Sequence, residues 1–525
     1  MSVLFKKTSM GQLGLCTLAS VLMVGLQASA GCADTTEEII DLLKAKNIIT
    51  AEEASKILER HKGEAAQALP QTGAKPVTIV MPKGQRYPKA TTDPVAKDIR
   101  EEVARQVKQE LKDEIAKEVK REASAASALD WSKRIRFGGD IRLRYQDDFF
   151  DDNNSQPFSP ADPTELVNRN IDRDRLVYQA RLSANAQVND QTEVGLRLST
   201  GSEKNPVSTN DILGDYMNKD TVTFDQAYLK WTPLTDVAVM PGKLDLWGGR
   251  IPNPFTHTDL VWDSDLNFEG VATNWEMSIN PLLKGFVNAG AFPLQEEDFS
   301  SRDKWLLGGQ VGVQYTRSNV TYTLAAAYYD YQNVQGQRNP YSIGGEGPND
   351  YTAPLYQQMG NVVYDLNQYN SGSTLFGLAS DYNEINLTGK IDIATFDPIH
   401  VILLGDYVQN IGFDSDEVNP LTGENVPEDD TGYMVGLTVG HPKMEKLWDW
   451  QTSLSYKYLE ADAVLDAFTD SDFHLGGTNA KGWILGGQLG LAKNLWLRAR
   501  WLSSDAISGP PSAIDTLQLD INARF

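Results

Sequence analysis

The sequence predicts an all-β transmembrane barrel of about sixteen antiparallel strands, preceded by an N-terminal helical hairpin and a helical stalk. Three observations carry this reading. From Ser132 onward, segments of about 9–14 residues alternate apolar and polar side chains, the period of a strand with two unlike faces. Short and long connections alternate along the same region. All eleven Trp of the 525-residue chain lie at or after Trp131, where they suit the interfaces of a membrane.

The first thirty residues read as an address. Lys6 and Lys7 precede an apolar core, Leu13–Leu26, and Ala28–Ala30 offers a small-x-small cleavage site, so residues 1–30 form a signal peptide and Gly31 the mature start. Cys16 leaves with it. Cys32 alone cannot form an intrachain disulfide, and "SAGC" (Ser29–Cys32) leaves lipidation open, with Ser29 standing where Leu is usual. Beyond the signal no apolar run reaches the ~18 residues a spanning helix needs. Residues 31–62 form the helical hairpin. Thr35 with Glu38 and Thr50 with Glu53 fit capping boxes, and Asn47 falls in the break. A DNA-binding helix-turn-helix does not suit an exported chain of formal net charge -23, because phosphate binding needs a basic surface. No nucleic-acid partner is expected.

Residues 63–94 carry Pro70, Pro76, Pro82, Pro88 and Pro94 and read as a linker. In the stalk, 95–130, apolar residues recur every four: Val95, Ile99, Val103, Val107, Leu111, Ile115 and Val119. A helix repeats every 3.6 residues, so this stripe drifts by ~40° per step. An oligomerising coiled coil of atypical winding and a solvated spacer both remain open.

The barrel occupies 131–525. "IRFGGDIRLRY" (Ile135–Tyr145) sets Ile135, Phe137, Ile141, Leu143 and Tyr145 against Arg136, Asp140, Arg142 and Arg144. Tight hairpins are expected at "NDQ" (Asn189–Gln191), "RSN" (Arg317–Asn319) and "AKN" (Ala492–Asn494). Between hairpins lie the acidic, Asn/Gly/Pro-rich stretches Asp147–Asp174, Gly201–Asp220, Gln332–Asp381, Gln409–Asp430 and Glu460–Ala480. No rule makes every second connection of a soluble sandwich short. A membrane barrel has short periplasmic turns and long outer loops. An even strand count puts both barrel ends on the periplasmic rim, where a stalk preceding the first strand must lie. Outer-membrane lipid then faces the apolar side.

The polar face carries Arg136, Arg142, Arg144, Arg181, Arg197, Lys230, Arg498, Arg500 and Arg524, and Arg250 joins them if Trp247 and Ile251 face lipid. An arginine facing lipid at mid-depth costs about 2–4 kcal/mol, so this sorting is expected of any barrel. The clustering says more. First and last strands must be neighbours for closure, which brings Arg142, Arg144, Arg498, Arg500 and Arg524 to one patch, to which strands two and three add Arg181 and Arg197. A basic ladder of this kind orients ions or carboxylated solutes. Its bland counterpart is arginines paired with wall acids such as Asp140 and Asp520.

Other chemistry is thin. Among the five His none forms HExxH, no GxSxG occurs, and "SRDK" (Ser301–Lys304) lacks its companion motifs. Asp414-x-Asp416 lacks the glycine and spacing of an EF-hand. No enzyme, metal or cofactor is expected.

"LWGGRIPNPFTHTDLVWDSDLNFEGVA" (Leu246–Ala272), "AGAFPLQEEDF" (Ala289–Phe299) and "WQTSLSYKYLEADAVLDAFTDSDFHLGGTNAKGW" (Trp450–Trp483) together resemble the bacterial putative porin family. The resemblance implies a water-filled outer-membrane diffusion channel for small hydrophilic solutes and ions, a homotrimer in a Gram-negative-type envelope. In porins the third outer loop folds inward. By strand count it is Pro252–Glu269, which would set Asp259, Asp263, Asp265 and Glu269 opposite the basic wall. Two other functions stand beside this one: an anion- or phosphate-selective channel, and a barrel anchor whose N-terminal helices tether the outer membrane to the cell wall or a periplasmic partner. Finally, "LQLDINARF" (Leu517–Phe525) alternates without a miss and is expected to close the barrel against Ile135–Tyr145. Its terminal Phe525 resembles the signal read by the barrel-assembly machinery.

Overall fold

The computed structural model describes residues 134–525, apart from 160–163, 238–239, 299, 342–346 and 370–373. The signal peptide, hairpin, linker and stalk lie outside the described residues.

Alternating sequence becomes strand throughout. The barrel strands are β1 (Ile135–Phe150), β2 (Arg173–Asn189), β3 (Thr192–Ser199), β4 (Thr223–Val237), β5 (Met240–Pro252), β6 (Asn267–Asn280), β7 (Leu283–Gln295) and β8 (Lys304–Arg317). They continue as β9 (Val320–Gln332), β10 (Tyr382–Phe396), β11 (Ile399–Asn410), β12 (Thr431–Gly440), β13 (Trp450–Leu459), β14 (Ala480–Ala492), β15 (Leu495–Ala506) and β16 (Ala513–Arg524). Each pairs antiparallel with its sequence neighbours, and β16 pairs with β1. The seventeenth strand of the sheet, Asp211–Ile212, is two residues that lie against β2. Closure has a definite register: Leu143 faces Ile521, Arg144 faces Asp520 and Tyr145 faces Leu519. Among the described residues the barrel wall has no free edge strand.

The hairpins fall where the sequence places them, at 190–191, 318–319 and 493–494. On the opposite rim the long loops are L1 (151–172), L2 (200–222), L3 (253–266), L4 (296–303), L5 (333–381), L6 (411–430), L7 (460–479) and L8 (507–512). L6 carries the short helix α1 (Ser415–Thr422), and the Asp414 side chain caps it by accepting from the Asp416 amide at 2.9 Å. The Asp414-x-Asp416 pattern is thus a helix start.

The two faces of the wall are sorted. Leu143, Leu196, Leu324, Val435, Leu485, Leu519 and Ile521 point outward and are exposed, as a lipid-facing belt requires. Aromatics flank that belt, among them Trp231, Tyr328, Trp450 and Trp483, with Tyr456 against Trp483 at 4.9 Å between ring centres. Polar residues fill the interior and satisfy one another: Asn288 Nδ2 donates to Gln310 Oε1 at 2.9 Å, Asn386 Nδ2 to Asp406 Oδ1 at 2.7 Å, and Gln518 Nε2 to Gln146 Oε1 at 3.1 Å.

The interior also holds an apolar cluster supplied by loops. Trp262 and Leu260 of L3, Val334 of L5, and Val464 and Leu465 of L7 bury against Phe268, Phe292, Leu306, Tyr329, Tyr331 and Tyr382 of the wall. Ile251 belongs to this cluster and Trp247 packs on it. The expectation that these two face lipid is therefore corrected. Alternation along β5 sends Asp245, Trp247 and Ile251 inward together.

Candidate functional site

L3 leaves the wall after β5 and is anchored by aromatic contacts. The Trp262 ring lies 5.0 Å from Phe268 and 5.0 Å from Tyr329, and Phe255 lies 5.1 Å from Tyr329. Edge-to-face geometry at this range adds to the burial of the rings. L7 then docks on L3. The Asp263 amide donates to the Phe468 carbonyl at 2.8 Å, the Ser471 amide to Asp263 Oδ2 at 2.8 Å, and Thr469 Oγ1 to the Leu260 carbonyl at 2.9 Å. The two loops form one layer inside the barrel, stapled to the β6–β10 side.

Charges meet on the other side. On β1, β15 and β16, Arg142, Arg144, Arg498 and Arg500 share a patch, because Arg144 and Arg498 are both in register with Asp520. Arg144 is buried. Its Nε donates to Asp520 Oδ1 at 2.8 Å and its Nη1 to Asp472 Oδ1 of L7 at 2.9 Å. Arg500 also binds Asp472. Burial would raise the Asp472 carboxyl, but Arg144, Arg500 and Arg142 outweigh it and hold it well below the usual carboxylate range. Arg142 donates to Asn210 of L2. Arg498 has no hydrogen-bond acceptor or ion-pair partner among the described residues.

The remaining basic residues disperse. Arg181 pairs with Asp140 at 3.1 Å and with Asp265 of L3 at 2.9 Å. Arg197 pairs with Asp225 and also reaches Asn267 at 3.2 Å. Lys230 pairs with Asp245 at 2.9 Å, 4.5 Å from the Trp247 ring centre. Arg250 pairs with exposed Glu269 at the L3 end of β5 and β6, away from the patch, since it has the opposite parity to inward Ile251. Arg136 is exposed and in register with Asn185 near the turn rim. Arg524 is exposed, in register with Asp140, and lies 5.4 Å from the Trp496 ring centre, outside the patch.

The four carboxylates expected to face the wall do four different things. Asp265 reaches Arg181. Asp259 is open to water, with Asp470, Lys457, Arg500 and Arg498 as charged neighbours, and its carbonyl accepts from Lys457 Nζ at 2.9 Å. Asp263 instead braces L3 to L7, and burial, then Asp470 and Asp265, pushes its carboxyl well above the usual range. Glu269 lies on a strand and not on the loop.

Sequence reasoning missed Asp472, the carboxylate gripped by the wall. A signal was present. The stretch "ADAVLDAFTDSDFHL" (Ala461–Leu475) carries Val464, Leu465, Phe468 and Phe473, too many apolar side chains for a loop in water. Phe525 hydrogen-bonds Gly139 through both backbone groups, at 3.0 and 3.1 Å, and its ring remains exposed.

The chain is similar to three solved structures. OprB of Pseudomonas putida matches with a TM-score of 0.43 and 14% identity, over 77% of this chain and 96% of that one. The outer membrane channel DcaP of Acinetobacter baumannii matches with a TM-score of 0.38 and 12% identity, over 74% and 97%. OmpF of Salmonella typhi, in complex with daunomycin, matches with a TM-score of 0.39 and 12% identity, over 74% and 97%. No curated protein sequence matches the chain. The model of the family described as "Putative porin" matches residues 33–525. With an apolar belt outside, a polar lumen inside and that match along nearly its whole length, the chain belongs to the putative porin family.

Proposed function

We propose that the protein is a passive outer-membrane channel for small hydrophilic solutes and ions, working as a homotrimer. The observation that carries this reading is the charge arrangement inside the closed wall. Asp259, Asp265 and Asp472, all on inward loops, stand against guanidiniums on β1, β2 and β15. L3 and L7 narrow the lumen, so large solutes are excluded by size. The field between loop acids and wall arginines orients small polar solutes as they pass and replaces part of their lost hydration. Purified protein in planar bilayers should give stable conductance steps. Electrically silent bilayers would overturn the proposal.

A second reading, selectivity for anions, is favoured by one observation. Four guanidiniums share the patch, Asp472 and Asp520 are the carboxylates bonded to them, and Arg498 has no bonded carboxylate partner among the described residues. Replacing Arg142, Arg144 and Arg498 by neutral residues should shift the reversal potential toward cations. An unchanged potential would remove this reading while leaving the channel intact.

A further inference from the structure

The wall grips one loop carboxylate with unusual completeness. Arg144 Nη1 and Gln518 Nε2 each stand 2.9 Å from Asp472 Oδ1, and Arg500 Nη2 donates to Asp472 Oδ2. Behind them, Arg144 Nε is fixed by Asp520 at 2.8 Å and Arg500 Nε by Gln518 Oε1 at 2.9 Å. The three donors sit on β1, β15 and β16, one continuous stretch of hydrogen-bonded sheet. Only Asp472 arrives on a loop. The wall therefore presents a preformed clamp for a small oxyanion, carboxylate or phosphate, of the kind in which guanidinium forks excel.

Donors are left over beside the clamp. Arg142 Nε and Asn522 Nδ2, whose residues face each other across β1 and β16, have no acceptor among the described residues. Arg498 lies on the strand next to β16. The patch thus keeps a positive excess after Asp472 and Asp520 are counted.

The loop side is poised rather than relaxed. Immediately after Asp472, His474 and Leu475 adopt left-handed backbone angles, φ 58° and 62°, followed by Gly476 and Gly477 at 99° and 95°. Bulky residues hold such angles only where surrounding contacts impose them. The Arg169 guanidinium supplies one such contact, donating to the His474 carbonyl at 3.0 Å.

We propose that this clamp is a binding subsite for small oxyanions, carboxylate or phosphate, in transit through the pore, and that Asp472 is its resident competitor. The L7 tip docks while no solute occupies the clamp and yields when an oxyanion takes the place of the Asp472 carboxylate. Arg498 and Arg142 receive the incoming anion before the exchange. The proposal rests on the channel reading above and names the solute class that the channel favours.

The test uses the full chain in planar bilayers, with Asp472→Ala and the near-isosteric Asp472→Asn beside the unmodified protein. Currents are read in potassium chloride, then with potassium phosphate or potassium acetate added. Loss of one carboxylate from the patch, an interaction of about one RT with a passing ion at aqueous dielectric, should raise the anion-over-cation permeability ratio about threefold. Phosphate and acetate should also reduce chloride current at lower concentration in both variants than in the unmodified protein. Block by phosphate alone assigns the clamp to phosphate, and block by both assigns it to oxyanions generally. Equal gains for cations and anions with no change in either block would make Asp472 a mere brace and overturn the proposal. Silent bilayers from the unmodified protein would instead overturn the channel reading.

Discussion

Replacing Trp262 with alanine separates the plug from the wall. The indole is fully buried and is the meeting point of L3, L7 and the β6–β9 wall, with Phe268, Tyr329, Tyr331 and Phe468 around it at 5.0, 5.0, 6.5 and 6.3 Å. Truncating a buried Trp costs about 3–5 kcal/mol in transfer and cavity terms together. Against this, L3 keeps its hydrogen bonds to L7 through Asp263, to Asp406 through Thr258, and its ion pair from Asp265 to Arg181. Each of these hydrogen bonds contributes about 0.5–3 kcal/mol net, the upper end where the carboxylate is charged. The loss is thus comparable to what remains, and L3 should detach part of the time without leaving the lumen. The strand ladders do not involve Trp262, so the barrel should still insert. We expect higher and noisier single-channel conductance, and faster protease cleavage within 253–266. Unchanged conductance with unchanged cleavage would refute the anchoring role. Failure to insert at all would show that the interior cluster carries wall closure, contrary to the division drawn between them.

Four further outcomes are expected. Gly139→Ala should weaken closure, because a Cβ there would meet the Arg181 carbonyl oxygen at 2.5 Å and Phe525 Cζ at 2.6 Å; overpacking of this kind costs about 1–3 kcal/mol, read as a lower unfolding temperature of the barrel on heated gels. Raising the pH should loosen L7. Burial pushes Asp462 and Asp466 up to about 7, so docking that keeps them protonated is fully favourable below their ordinary value of 3.8 and is lost as pH rises through about 7; amide exchange over 460–479, corrected for its intrinsic pH dependence, should be slower at pH 5 than at pH 8, and the reverse order would sink the argument. Removing Phe525 should damage membrane insertion more than permeation of the protein that does insert, and normal insertion without it would argue against an assembly signal. Deleting 31–122 should leave conductance intact while reducing envelope attachment; intact attachment would remove the tethering role of the N-terminal helices.

The sequence by itself determined the wall. Period-two alternation, the two- and three-residue turns and the spacing of long loops are local properties, so strand positions, lipid-facing residues and even the pairing of β16 with β1 were legible from residues such as Leu143, Leu519 and Ile521. The third loop's identity followed from counting strands. What lies inside the wall was decided by tertiary structure alone. Asp472 and Arg144 are 328 residues apart, and nothing local in either announces the other. L7 turns inward because Val464, Leu465 and Phe468 find Trp262 and Tyr331 there, an outcome that depends on where L3 has already packed. Arg524 left the basic patch for an equally non-local reason, a rim position over Trp496. Side-chain alternation is written residue by residue, whereas partner choice inside a lumen is set by register and by loops that arrive from distant parts of the chain.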